Sequence, residues 1–294
     1  MRVSSVNNYN HTPAMQGYKY RPNRNPIYLN PIKLQVDNLF ERGVVNSRRR
    51  ILSIHDDLVP YLQEIPVKTD KVNTYAYDIT KNDGKGKYVL FLHGLGQNIS
   101  ALQDMYSSIL NNTEYSIFAP EYRCFGKNEP AEISTKTFME DSQAALDYLV
   151  KEKQIPPEDI CVVGHSFGGF VASQLVKKNQ DVEKLILVSS VDNLGNEILR
   201  SSVMKHVSPL ALKILKHIKF LRSYLKHLFS TKEQLESTFV PVHIIHSMND
   251  RVISPYSAQY LAENCRNLQS INLLNTGGHS MEEKKINAII SLLK

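Results

Sequence analysis

The sequence predicts an α/β fold: a mostly parallel central sheet covered by helices on both faces. From about residue 66 onward, short β-branched runs alternate with longer helical patterns. Several of the short runs are apolar almost throughout, as strands buried on both faces must be. One of them turns through a G-x-S-x-G sequence straight into a helical pattern. In chain order, strands are expected at 72–78, 88–93, 115–119, 160–165, 184–189, 242–247 and 270–274. Helices are expected at 99–110, 135–153, 167–178, 255–265 and 281–293, with Ser134, Ser254 and Ser280 placed to cap three N-termini.

The chain has 294 residues, 42% apolar and 22% charged, with 13 Gly and 13 Pro, enough to bury one large core or two small ones. No stretch approaches the roughly 18 uninterrupted apolar residues of a bilayer span, and the first residues contain no apolar run of signal-peptide type. The expectation is a protein that neither spans a membrane nor leaves by the general secretory route. Cys124, Cys161 and Cys265 are odd in number and far apart, which argues against a disulfide framework or a thiolate zinc site and fits a reducing, cytoplasmic compartment.

Net charge is +6, but eight basic and no acidic residues fall between Arg200 and Lys232, so that segment carries +8 and the remainder −2. Basicity confined to one element, without a reading motif or interleaved aromatics, argues against nucleic acid as a partner. Residues 1–36 hold five basic and no acidic residues and no apolar period, the pattern of a flexible arm. Their Tyr and Pro residues equally suit an ordered extension draped over the domain. Residues 37–65 are expected to connect this arm to the core and pack on it. The core is expected at 66–190 and 240–294, interrupted by a helical insertion at 191–239, because a simple crossover needs only a dozen or so residues. Within the insertion, Leu210, Ile214, Ile218, Leu221, Leu225 and Leu228 fall on one helical face and Lys213, Lys216, Lys219 and Lys226 on the other.

The strongest chemical signal is Gly164-His-Ser-Phe-Gly168 between the 160–165 strand and the helix that follows. Glycines two residues either side of Ser166 permit a close strand-to-helix crossing, and the tight turn leaves the hydroxyl exposed. This is a nucleophile elbow, and with it the chain over about 66–294 resembles the α/β-hydrolase family, monoacylglycerol lipases and acyl-protein thioesterases among its members. The resemblance implies partners in the order serine, acid, histidine. It places the acid at Asp250, beyond the 242–247 strand and ahead of Pro255, and the base at His279, in the glycine-rich loop after the last strand. It also implies an oxyanion hole from the backbone N–H groups of Phe167 and Leu95, the latter in His93-Gly94-Leu95-Gly96, where Gly94 and Gly96 let the backbone approach the substrate. His93 itself is expected to be structural. Glu121-Tyr-Arg-Cys-Phe-Gly-Lys127 is similar to a family loop beside the pocket but has Cys124 where the family has glycine, so it implies a pocket wall and no chemistry.

A serine at the elbow excludes the carboxylate-nucleophile chemistries of dehalogenases and epoxide hydrolases. No metal-ligand or phosphate-loop spacing appears, so the expected reaction is acyl transfer to water with no metal and no cofactor. Insertions at this point of the family form a cap over the pocket. The apolar face of Leu210, Ile214, Ile218, Leu221 and Leu225 could close on an acyl chain. Alternatively, the lysine face could engage anionic headgroups at a membrane surface, or an acidic protein partner. Three functions stay open: an ester or thioester hydrolase acting on acylated lipid or protein, a serine peptidase, and a secreted effector or binding module. The last draws on the acid-free N-terminal arm, similar to bacterial translocation leaders that act in a host cell.

Overall fold

The computed structural model describes residues 31–49, 51–193 and 230–294. Helix α1 (Pro31–Arg49) precedes an eight-stranded sheet built from β1 (Leu62–Lys68), β2 (Asn73–Ile79), β3 (Tyr88–Leu92), β4 (Ser116–Pro120), β5 (Ile160–His165), β6 (Lys184–Val188), β7 (Val242–Ser247) and β8 (Leu268–Leu274). The helices between and after the strands are α2 (Gln103–Asn112), α3 (Thr135–Asp147), α4 (Phe167–Lys178), α5 (Thr231–Leu235), α6 (Pro255–Glu263) and α7 (Glu283–Leu293). Spatial order is β1-β2-β4-β3-β5-β6-β7-β8. The β1–β2 and β2–β4 pairings at one edge are antiparallel and every other pairing is parallel.

All residues of β3, β4 and β5 are buried, because helices cover both faces of the sheet. Alternation along β3 divides the core. Tyr88, Leu90 and Leu92 join the cluster containing Phe118, Phe138 and Val171, while Val89 and Phe91 join Tyr106, Ile186 and Ile289 on the other face. From β3 the chain steps one way to β4 and later returns to place β5 on the other side. The loops after β3 and β5 therefore open into the crevice where an α/β sheet presents its site.

Four local features differ from the sequence expectations. β1 is an additional strand that straddles the boundary expected at 65/66 between connector and core; its Gln63, Glu64 and Pro66 are tolerated at a sheet edge. Helix α1 begins at Pro31, inside the expected arm, so 31–36 is helical, and the helix runs on to Arg49 within the segment expected as connector. Its Phe40 and Val44 are buried, and Gly43 lets it lie against Leu95: a Cβ there would sit 2.7 Å from the Leu95 side chain. The helix after Ser134 ends its α-helical course at Asp147 and closes in a π turn over Tyr148–Glu152. Of the three capping serines, Ser134 accepts from Thr137 N–H, Ser254 makes no side-chain cap bond, and Ser280 is displaced from the cap by Glu282. The insertion expected at 191–239 lies largely outside the described residues; at its ends, Asn193 and Ser230 pair in an antiparallel bridge. Among the described residues no helix is long and apolar enough to cross a membrane.

Candidate active site

Ser166 sits at the end of β5 with φ 56° and ψ −121°, a backbone conformation that costs a non-glycine residue energy and holds only where its surroundings enforce it. The flanking glycines supply that enforcement. A Cβ on Gly164 would lie 2.5 Å from the Gly168 carbonyl and 2.7 Å from Ala172 Cβ, and one on Gly168 would overlap the Leu92 carbonyl oxygen. Ser166 N–H donates to the Val188 carbonyl on β6, tying the bend to the sheet. All other residues from 160 to 173 are buried, while Ser166 is partly exposed. The strain thus presents one hydroxyl at the surface of a packed core.

That hydroxyl meets an imidazole. His279 Nε2 lies 3.0 Å from Ser166 Oγ, and His279 Nδ1 donates to Asp250 Oδ2 at 2.9 Å. The second carboxylate oxygen, Oδ1, accepts the N–H groups of Val252 and Ile253, each at 2.9 Å. Burial disfavours the Asp250 anion, but the His279 hydrogen bond and charge together with those two N–H groups outweigh it and hold the carboxyl below its usual range. Asp250 is therefore ionised at neutral pH, fixes the His279 proton on Nδ1 and leaves Nε2 to accept. The structure brings Ser166, Asp250 and His279 together, from loops after β5, β7 and β8.

Of the two N–H groups expected to receive an oxyanion, that of Phe167 follows Ser166 directly in the chain and that of Leu95 belongs to a loop that approaches the elbow. Phe167 is the first residue of α4, where helix N–H groups point outward along the axis. Leu95 and Gly96 are the central residues of a turn closed by Gln97 N–H on the Gly94 carbonyl, with Gly96 at φ 84°. A Cβ on Gly94 would come within 3.1 Å of Ser166 Cβ, which measures how closely this loop approaches the elbow.

The remaining expected positions fall as follows. His93 is fully buried, with Nε2 2.8 Å from Glu121 Oε1 and its ring 4.4 Å from that of Tyr122. Cys124 adopts φ 69° where the resembled pattern has glycine; its sulfur bonds to Ala131, and burial pushes its thiol pKa up. The neighbouring Arg123 is clamped by Asp141 through Nε and Nη2, at 2.9 and 2.7 Å. His243 pairs with Ser270 Oγ on the sheet, and the buried His246 donates from Nε2 to the Ile253 carbonyl. Leu210, Ile214, Ile218, Leu221 and Leu225, and with them the expected cap helix, lie outside the described residues. Among the described residues no three His, Cys, Asp or Glu are grouped to hold a metal.

Three supports of the site are not among the sequence expectations. The residue ahead of the serine, His165, is buried and donates from Nε2 to the His279 carbonyl at 2.9 Å, while its Nδ1 lies 3.0 Å from Gln97 Oε1. Burial, and then the neighbouring His279, push its pKa down to about 3. Asn249 Oδ1 accepts Gly278 N–H, joining the acid loop to the base loop. Helix α1 packs Phe40 edge-on against Phe167 and Phe138. Its Arg48 donates to the Cys124 and Asn128 carbonyls of the loop after β4.

Comparison with known proteins identifies the family and the fold. Residues 85–234, half of the chain, match the family described as serine aminopeptidase, S33. The α/β-hydrolase domain-containing protein WAV2 of Arabidopsis thaliana is 27% identical over 218 residues, covering 72% of this chain and 67% of its own. An α/β hydrolase from Vibrio vulnificus superposes with a TM-score of 0.66 at 20% identity, over 94% of this chain and 97% of that one. An esterase from Pyrococcus furiosus superposes with a TM-score of 0.62 at 16% identity, over 83% and 94%. A sheet of this order, an elbow after its fifth strand and a match spanning half the sequence have one meaning: the chain belongs to the serine aminopeptidase S33 family of α/β hydrolases.

Proposed function

We propose that the protein is a serine hydrolase that cleaves carboxylic esters or thioesters through an acyl-enzyme. The observation that carries this reading is the continuous contact from Ser166 Oγ to His279 to Asp250, at 3.0 and 2.9 Å. In the proposed reaction, Ser166 Oγ attacks the acyl carbonyl as His279 Nε2 takes its proton. The oxyanion is received by the N–H groups of Leu95 and Phe167, donors of a kind each worth about 3 kcal/mol in such reactions. His279 returns the proton to the leaving alcohol or thiol, and water then releases the acid by the same sequence in reverse order of roles. The charge of Asp250 stabilises the imidazolium that forms in both halves.

An acyl-chain substrate is favoured by the apolar spacing of Leu210, Ile214, Ile218, Leu221 and Leu225, and the Pyrococcus neighbour is itself an esterase. The family's description as aminopeptidases favours a second reading, cleavage of peptide amides by the same three residues. A fluorophosphonate probe should label the wild type and leave Ser166→Ala unlabelled; equal labelling of both would refute the assignment. A series of p-nitrophenyl esters should show kcat/KM rising from acetyl to octanoyl. A preference for acetyl removes the acyl-chain part, and faster turnover of aminoacyl-nitroanilides than of any ester selects the peptidase.

A further inference from the structure

The loop that carries His279 contains Gly277 at φ 119° and Gly278 at φ 50°, so its own backbone does little to fix the imidazole. The fixing comes from outside the loop. The carbonyls of three consecutive residues, 278, 279 and 280, each accept a side-chain donor. Lys285 Nζ donates to Gly278 O at 2.6 Å and to Ser280 O at 2.9 Å, and His165 takes the carbonyl between them. Lys285 is fully buried although it stands in the first turn of α7, on the face shared with Ile289. A buried ammonium is costly unless its hydrogen bonds do something the fold needs.

Resting on the hydrolase reading, we propose that Lys285 is the positioning residue for His279: its amine bridges the peptide carbonyls on either side of the base and sets the height of the imidazole above Ser166. Burial pushes its pKa down to about 8, against the opposing pull of Asp250 and Glu282. Its charge is felt by His165 and by His246, whose pKa values it helps to lower. Of these four groups, Asp250 and His165 also touch His279 directly. The lysine is thus coupled to the base through its backbone and through its field.

The test uses the full chain with p-nitrophenyl butyrate and a fluorophosphonate, with rates expressed per labelled site so that a loss of folded protein does not count. Lys285→Met, which fills the space without donors, should lower kcat by about ten- to a hundredfold with KM within about twofold, a size typical of a misplaced reacting group. Its labelling rate should fall in proportion. Lys285→Arg, which restores donors, should recover most of the loss. If Lys285→Met yields no folded protein, Lys285→Leu, which also lacks donors, replaces it in the same comparison. Wild-type rates per site in the donor-lacking variant, or equal losses in Met and Arg, overturn the proposal. Failure of the wild type to label overturns the hydrolase reading, and the positioning role with it.

Discussion

His165 Nε2 donates to the backbone carbonyl of His279 across 2.9 Å, so the residue ahead of the proposed nucleophile also holds the main chain of the proposed base. The imidazole of His165 stays neutral because burial, followed by the neighbouring His279, lowers its pKa to about 3. The unfolded chain binds this proton near pH 6.5 and the folded chain does not, so stability falls as pH drops from about 6.5 toward 3. Urea midpoints of wild type and His165→Gln, measured from pH 8 to 4, should show the wild type losing stability more steeply below pH 6.5. Parallel curves would mean that His165 takes up its proton without unfolding.

Ser166 stores strain that its own variants can reveal. Alanine keeps the Cβ at φ 56°, whereas glycine is indifferent to that angle. Both substitutions should abolish labelling, but Ser166→Gly should be more stable than Ser166→Ala by about 1 kcal/mol in urea unfolding. An alanine variant of equal or greater stability would show that the bend costs nothing.

Gly168 and Gly94 separate the two demands made on glycine here. A Cβ on Gly168 meets two main-chain oxygens at the end of β3, those of Leu92 and His93, neither able to retreat. Gly168→Ala should destabilise by more than about 3 kcal/mol or prevent folding. A Cβ on Gly94 meets Gln97 Oε1, the far end of a movable side chain, at 2.9 Å and Ser166 Cβ at 3.1 Å. Gly94→Ala should therefore fold and lose activity out of proportion to its loss of stability. Thermal melts beside active-site titration distinguish the two.

What the sequence discloses and what it hides divide along the reach of each interaction. The bend at Ser166 is legible because its constraints are local: two glycines, a strand before and a helix after. Asp250 and His279 are legible because the family's chain order selects them; His243 and His246, close in sequence to the acid, are placed by the fold in other contacts. β1 escapes notice because Glu64 and Pro66 break the pattern of a buried strand and suit only an edge. Helix α1 escapes because Gly43 and its Asn residues weaken the helical pattern, and the reason for Gly43 is Leu95, fifty-odd residues away. Lys285 does leave a trace, a lysine on the apolar face of Ile289. That its amine turns back to two carbonyls of the His279 loop is a fact of three dimensions alone.

Phe40 carries the attachment of α1 to the site. It is buried at 2% exposure with ring centroids 5.3 Å from Phe138 and 5.8 Å from Phe167. Phe40→Ala removes both edge-to-face contacts and should cost about 3 kcal/mol, measured by chemical unfolding. Because α1 also leans on Leu95 through Gly43, the same variant should raise KM for longer esters before it lowers kcat for short ones.

Asp250→Asn tests how the acid acts, since the geometry dictates which way the new amide must face. Oδ1 accepts the Val252 and Ile253 N–H groups, so the asparagine oxygen must take that place and the NH2 must occupy the position of Oδ2. The amide then points donors at His279 Nδ1, which can accept only by giving up its proton. The hydrogen moves to Nε2, the nitrogen that should receive the Ser166 proton, and the hydroxyl is left without a base. The expected result is a loss of about 10⁴-fold in kcat with a nearly unchanged fold, the size seen when a histidine is locked in the wrong tautomer. A loss below about tenfold, with the fold intact by circular dichroism, would show that Asp250 does not govern the His279 proton.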